Sequence, residues 1–549
     1  MLFYKLLIEV VYCIQILLNK IFLIYAFFMC TDLKKIKEFF LFESKNKKDD
    51  LALFETIAIK DSILANLVTA KALLINEKIK LKCFNMTINS FYNPYVKFNY
   101  NSMYMESINY YLKDLEDLNS AYKIYKQYYS QLKTKRDLYN LKIQKIYIGD
   151  LVYDGYIRFC KKPTVELNTF SFKYYFFKCC ISFIFWQKYI KENKVKYIFL
   201  SHANYLIGMP LRVGIYNNVK VYSITSTYLN KFSKKKLHNG LEYLDYKKEF
   251  NKITKLKKKL ILKKSKKLLN ERFQDNLKIR GLFDTPVTEE NPFSSKEVKN
   301  IFHKSQRIKI LIATHDLFDA PNSRGGMTFL DFYEWLVYLR DHKVSKKYDW
   351  YIKTHPDAYK GNDEELHKIF KNKKNFYFLD KQVNHFQIIK NKIDVVFSCK
   401  GTVGFEYPYF SIPVILASDN SKVGQYKFAY QAKNLKEYNQ MLNNLETYLS
   451  KFKKNINELA EFFFTNYFIF NTNDWLIKNY EKKKNIKFRR NAAGASRFNP
   501  SIINEELDIL IKDKKLADEK VELVYKFIKG NKYMYLKPLN KVVNTFLNS

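Results

Sequence analysis

Arginine is the conspicuous shortage in this chain. Lys and Arg number 95 against 54 Asp and Glu, a formal charge of +41, yet only 11 of the 95 are Arg. Arg is the side chain suited to bidentate contact with phosphate or guanine. The lysines are also spread out, as in KITKLKKKLILKKSKK (252–267), rather than gathered on one module. A nucleic-acid partner is therefore not expected, whereas attraction to an anionic membrane surface is. Cysteine is sparse too. Cys13, Cys30, Cys83, Cys160, Cys179, Cys180 and Cys399 form no CxxC spacing and no even framework, which excludes a zinc site and fits a reducing cytosol. No uncharged apolar run reaches the roughly 18–20 residues of a spanning helix. The most apolar stretch, residues 1–30, carries Glu9 and Lys20, and no small-residue cleavage site follows it. That segment suits a helix lying against the inner membrane face, and it suits a helix packed on the first domain equally well. No internal repeat is present.

What remains is ample for folding. Hydrophobic residues make up 47% and aromatics 17% of 549 residues, enough for large cores and for two or three domains. Residues 31–285 read as a first α/β domain, and 286–300 as part of a Pro- and Ser-containing linker. Residues 301–483 read as a second α/β domain, and 484–549 as a tail of loop and helices. In the first domain, 114–144 keeps helical spacing, while KIYIGDLVYDGYIR (145–158) reads as a strand that breaks at Gly149-Asp150. Residues 195–224 read strand, loop, helix, strand, and 247–270 as a lysine-rich helix. After the linker, strands at 307–314, 349–356, 375–380, 394–399 and 413–418 trade places with helices at 327–342, 363–372, 384–391 and 403–410. That alternation predicts a doubly wound parallel sheet.

Open parallel sheets bind ligands beyond the carboxyl ends of their strands. The first predicted strand of the second domain ends in His315-Asp316, with Asp319 and Arg324 in the loop. The next ends in Lys353-Thr354-His355, and another in Lys400-Gly401-Thr402. Three strands thus deliver cations and a Gly-Thr turn to one rim, the pattern of an anion site. Gly401 and Thr402 would open the helix carrying Glu406, whose start favours a phosphate. Glu406, one turn on, could accept from a ribose diol; alternatively it caps or pairs with a lysine. In the first domain Asp150, Asp154 and His202 sit at expected breaks after strands, where a general base could stand. Asp154 is the preferred base, and a structural turn aspartate is the bland alternative.

The stretch GTVGFEYPYFSIPVILAS, preceded by ATHDLFDAP and YIKTHPD, resembles the glycosyltransferases of bacterial capsule and lipopolysaccharide biosynthesis. IGDLVYDGYIR and FAYQAKNLKEYNQMLNNL look like that group as well, so the resemblance spans about 145–450. It implies a GT-B architecture, two Rossmann-like domains facing across a cleft, with helical extensions at both ends here. It also implies a nucleotide-sugar donor on the second domain, with His355, Gly401 and Thr402 at the phosphates and Glu406 at the ribose. Lys400 departs from the group, where a neutral or imidazole side chain is commoner; Pro408 fits its EYP. No DxD pair stands where a metal-dependent GT-A enzyme needs one, so the expected reaction is metal-independent and uses no resident cofactor. Lys353, Lys400 and Arg324 would offset charge on the leaving phosphate, with His315 and Asp319 lining the opposite wall. The expected acceptor is a glycan or lipid-linked glycan, and the expected location is the cytoplasm, peripheral to the membrane. Rival readings are a nucleotide-sugar 2-epimerase, a CDP-polyol phosphotransferase, and a non-enzymatic basic protein of the membrane surface.

Overall fold

The computed structural model describes residues 35, 38–39, 48–56, 60–84, 106–107, 115–238, 243–273, 301–355, 358–380, 383–419, 422–472, 475–477 and 500–548. The segment 1–30, the linker 286–300 and the stretch 484–499 lie outside the described residues. The chain forms two compact units: 1–152, 168–239 and 472–535 make the first, and 153–167, 240–471 and 536–549 the second.

Apolar runs too short for helices, each ended by polar residues, become the strands. The first unit holds β1 (Lys48–Glu55), β2 (Ile79–Phe84), β3 (Glu106–Ser107), β4 (Lys142–Ile143), β5 (Ile146–Tyr147), β6 (Val195–Phe199), β7 (Lys220–Ile224) and β8 (Leu229–Lys231). Its sheet runs β3-β2-β1-β6-β7-β8, parallel except for β8 on β7, while β4 and β5 form a separate antiparallel pair. The second unit holds β9 (Lys309–Ala313), β10 (Asp349–Lys353), β11 (Phe376–Phe378), β12 (Val395–Ser398), β13 (Val414–Leu416) and β14 (Tyr430–Gln431). Its sheet runs β11-β10-β9-β12-β13-β14 and every pairing is parallel. Both sheets follow the order of a dinucleotide-binding fold, in which the first and fourth strands lie side by side at the centre. The fold is α/β, with a Rossmann-like parallel sheet in each unit.

Three segments differ from the sequence expectation. Residues 145–158, expected as a strand, contribute only the short β5 and then the helix Gly149–Cys160. A Cβ at Gly149 would lie 2.2 Å from the Tyr139 carbonyl oxygen, so this glycine lets the helix start against the preceding turn rather than breaking a strand. The lysine-rich run, expected with the first domain, is the helix Lys255–Phe273 of the second unit. It buries only Ile261, Ser265, Leu269 and Phe273, one residue per turn, and its lysines form a solvated face. The C-terminal residues are no appendage. Val521, Val524, Phe527 and Ile528 of the helix Lys514–Lys529 join Leu64, Val68 and Tyr222 in the core of the first unit. Phe546 packs with Phe464 in the second.

No helix among the described residues is long and apolar enough to cross a membrane.

Candidate functional site

In the second unit the chain runs out through β9, β10 and β11, then returns to the centre to lay β12 beside β9. The loops leaving β9 and β12 therefore diverge, which is what makes a ligand crevice at the carboxyl ends of an open sheet. His315, just past β9, and Lys400, just past β12, meet at this switch point. His315 Nε2 lies 3.0 Å from the Lys400 carbonyl oxygen and 3.1 Å from its amide nitrogen. The imidazole also stacks on Phe332, ring centroids 4.7 Å apart. Burial, then the neighbouring His355, brings the His315 pKa down to about 4, so the ring is neutral near pH 7. The ring is a fixed prop for the turn after β12. Lys400 in turn donates from Nζ to the Gly325 carbonyl at 2.6 Å.

The two glycines of GTVG have separate jobs. Gly401 sits at φ 117°, a conformation that side-chain-bearing residues avoid. Gly404 needs closeness instead: an added Cβ would lie 3.3 Å from Leu416 and 3.3 Å from Val423, so the helix seats directly on β13. That helix, Val403–Tyr409, has seven residues with Pro408 inside it, and Thr402 makes no side-chain cap. Fewer than two turns sum few peptide dipoles, so the cationic side chains around the turn matter more than the dipole expected there.

His355, Gly401 and Thr402 are exposed, as are Asp319 and Arg324 on the loop after β9. Lys353 is mostly enclosed and donates from Nζ to the Val383 carbonyl at 2.6 Å. Burial lowers its pKa to about 8, against a raising influence from Asp380. Beside it lies a pair the sequence reading missed. His385 Nδ1 is 2.7 Å from the Tyr407 hydroxyl, and burial followed by Lys353 holds His385 at about pKa 3. The available signals were an Asn384–Gln387 capping box, which fixes the start of the helix His385–Lys390, and the Tyr of EYP.

Glu406 requires a correction. Its carboxylate is buried, at 6% exposure, and accepts from Arg272 Nη2 at 3.1 Å. The partner is not the lysine weighed as the alternative but an arginine, on the helix Lys255–Phe273. The Arg272 guanidinium also lies 5.8 Å from the Phe405 ring centroid.

Asp154 requires another. It stands inside the helix Gly149–Cys160, not after a strand, and is 1% exposed. Asn322 donates to it from Nδ2 at 2.8 Å and from its amide at 3.1 Å, and the same Nδ2 donates to the Leu330 carbonyl at 3.2 Å. Asp154 thus anchors the loop that carries Asp319 and Arg324. Asp154→Asn turns an acceptor into a donor facing donors. We expect it to lower stability by about 1–3 kcal/mol and to speed amide exchange across 316–330; unchanged exchange there would refute the anchoring role.

In the first unit, Asp150 is likewise helical and buried. It accepts from Arg212 Nη2 at 2.6 Å and lies 2.8 Å from His238 Nε2. His202 does stand after a strand, β6, and is exposed. Among the described residues no group of three or more His, Cys, Asp or Glu side chains could hold a metal ion.

No family model matches this sequence, and no curated protein matches it. Solved structures with some likeness include the KpsC β-Kdo 2,4-transferase of Thermosulfurimonas dismutans, at TM-score 0.29 and 11% identity over 49% of this chain and 79% of that one. A UDP-GlcNAc 2-epimerase of Neisseria meningitidis bound to UDP-GlcNAc gives 0.23 and 9% over 75% of this chain and 97% of that one. Acinetobacter baumannii MurG gives 0.21 and 10% over 76% and 94%. Likeness this distant carries no argument about activity, and the α/β class rests on the two sheets themselves.

Proposed function

We propose that this chain is a glycosyltransferase of GT-B type, moving a sugar from a nucleotide-sugar donor to a hydroxyl of a growing surface glycan. The observation that supports it is the rim of the second sheet. At the switch point, where ligands of such sheets bind, three neighbouring strands end in His315, His355 and the Lys400–Thr402 turn. His355, Gly401 and Thr402 are exposed beside Lys400, so a diphosphate would meet imidazole, ammonium and a turn closed by glycine. Arg324 and Lys353 would offset the charge that develops on the leaving phosphate, without a bound metal. In this reading Glu406 and His315 shape the turn, and Asp319 lines the wall beside it. The glycan acceptor and its assignment to capsule or lipopolysaccharide rest on the motifs of 145–450. The +41 charge supports a location at an anionic membrane surface.

A panel of CMP-, UDP- and GDP-sugars tests this by thermal stabilisation, followed by transfer to glycan acceptors with and without EDTA. We expect one donor class to raise the melting temperature and to be consumed in transfer that survives EDTA. His355→Ala should weaken nucleotide binding by about 1–3 kcal/mol. Unchanged calorimetric affinity in that variant would remove His355 from the site. Epimerisation of the donor without transfer, or manganese-dependent transfer, would overturn the reading.

A further inference from the structure

The helix Lys255–Phe273 lies wholly within the second unit and carries a charge that its surroundings do not neutralise. Its 19 residues include eight Lys and one Arg against a single acid, Glu271. Arg272 turns inward to the buried Glu406, but the lysines meet little negative charge. Lys257 donates to Asn544 Oδ1 at 3.1 Å, Lys258 to Asn251 Oδ1 at 3.0 Å and Lys264 to the Leu547 carbonyl at 3.4 Å, all neutral oxygens. Lys267 stands 3.9 Å from Glu271 and is 78% exposed, so water screens that pair. Lys255, Lys259 and Lys263 are exposed, and among the described residues none of the three has a carboxylate partner.

Helical spacing sets Lys255, Lys259, Lys263 and Lys267 one turn apart along one face. Leu256 and Leu260 share that face, 72% and 47% exposed. Ile261, Ser265 and Leu269 point the other way, into the core. The result is a row of uncompensated ammonium groups with two leucines standing in water among them.

We propose that this face docks on a bilayer of anionic lipids, its lysines at the headgroup phosphates and Leu256 and Leu260 at the acyl boundary. Three features favour lipid over nucleic acid. Every cation of the face is Lys, a point charge, whereas Arg makes the bidentate contacts used on phosphates and bases. The one aromatic residue of the helix, Phe273, is buried, so no ring of this helix is placed to stack on a base. Exposed leucines gain nothing beside a phosphate backbone, but acyl chains draw them out of water. The helix is also already folded, packed against the helices Ile456–Phe464 and Leu539–Asn548, so docking costs little chain ordering.

This gives a surface to the membrane location proposed above, and it rests on that location, not on sugar transfer. The far end of the same helix is tied to the helix Val403–Tyr409. Arg272 holds Glu406, and the Tyr409 hydroxyl donates to Asn270 Oδ1 at 3.1 Å. Docking would therefore set how the rim around Lys400–Thr402 is presented to the membrane.

Flotation of the full-length protein with phosphatidylcholine vesicles, with and without phosphatidylglycerol, tests the surface. The wild type should bind the anionic vesicles and come off as salt is raised. Lys255→Gln, Lys259→Gln and Lys263→Gln together should weaken that binding about 100-fold, roughly fivefold for each lysine. Leu256→Ser with Leu260→Ser should weaken it about tenfold and remove the part that survives high salt. These side chains are exposed, so both variants should keep the wild-type melting temperature. Three exposed lysines elsewhere on this unit serve as the control, and Lys343→Gln, Lys346→Gln and Lys347→Gln together should leave binding nearly unchanged. Equal weakening by the two triple variants would show diffuse charge instead of a docking face, and overturns the proposal. Equal binding to neutral vesicles, or tighter retention on single-stranded RNA than on the anionic vesicles, overturns it as well. Vesicle binding lost in the first triple variant upholds the surface even if no donor supports transfer, an outcome that counts against the transferase reading alone.

Discussion

Asp150→Ala is expected to destabilise the first unit by about 3–5 kcal/mol, the usual result of leaving one charge of a buried pair uncompensated. Arg212 is fully buried on the helix Met209–Tyr216, and Asp150 is 3% exposed. Without the carboxylate, the described contacts of the guanidinium reduce to the Tyr147 carbonyl, 3.3 Å from Nη1, and the Tyr147 ring, 5.2 Å away. Burial works against the ionised carboxylate, yet Arg212 and His238 hold its pKa below the ordinary value, so the pair is charged at neutral pH. Replacing both partners by apolar residues, Asp150→Leu with Arg212→Met, should restore most of the loss, because no charge is then left buried. Amide exchange in β6 and β7 against denaturant measures both variants. A fully stable Asp150→Ala protein would show that the pair holds nothing together, and would return Asp150 to the list of candidate bases.

Glu55→Gln is expected to act in the opposite direction, and only above acidic pH. Burial holds the Glu55 carboxyl, which accepts from Ser201, at about 7 in the folded chain against an ordinary 4.5. The folded state therefore holds this proton more tightly than the unfolded state does. Stability from this group is whole below pH 4.5, falls as the pH rises toward 7 and is level beyond. The loss amounts to about 3 kcal/mol. Gln keeps an acceptor for Ser201 and cannot ionise, so the variant should match the wild type at low pH and exceed it at pH 8 by roughly that amount. Denaturation of the two proteins across this range is the measurement, read through exchange in β1 and β6 because two units need not unfold together. Parallel pH dependences would mean that Glu55 ionises as an ordinary carboxylate.

How much was legible in the sequence differs between the two units for a physical reason. From 301 to 418 each element is local. Strands of three to five residues give way to polar residues, and helices carry their own caps, such as Asp331, whose carboxylate accepts from the Glu334 amide. The alternation was readable there, and so was the placing of His315, His355 and Lys400–Thr402 at strand ends. In 145–158 the local pattern misled. Gly149-Asp150 looks like a break, yet the glycine is there because a carbonyl 2.2 Å from its Cβ position admits nothing larger. Only the tertiary structure shows that neighbour.

By itself, then, the sequence determined the α/β class, the strand ends that carry polar groups, and the glycines that a turn and a closely seated helix demand. These follow from period, side-chain size and backbone freedom within a few residues. Strand order was decided in three dimensions, by bringing β12 back beside β9 and β6 back beside β1. So were the partners of the buried charges. Arg272 and Glu406 are 134 residues apart, Asp154 and Asn322 are 168 apart, and Glu55 and Ser201 are 146 apart. Nothing in the spacing of such pairs marks them. A carboxylate becomes an anchor, a prop or a working group according to what the folded chain buries around it, because burial and bonded neighbours set the cost of its charge.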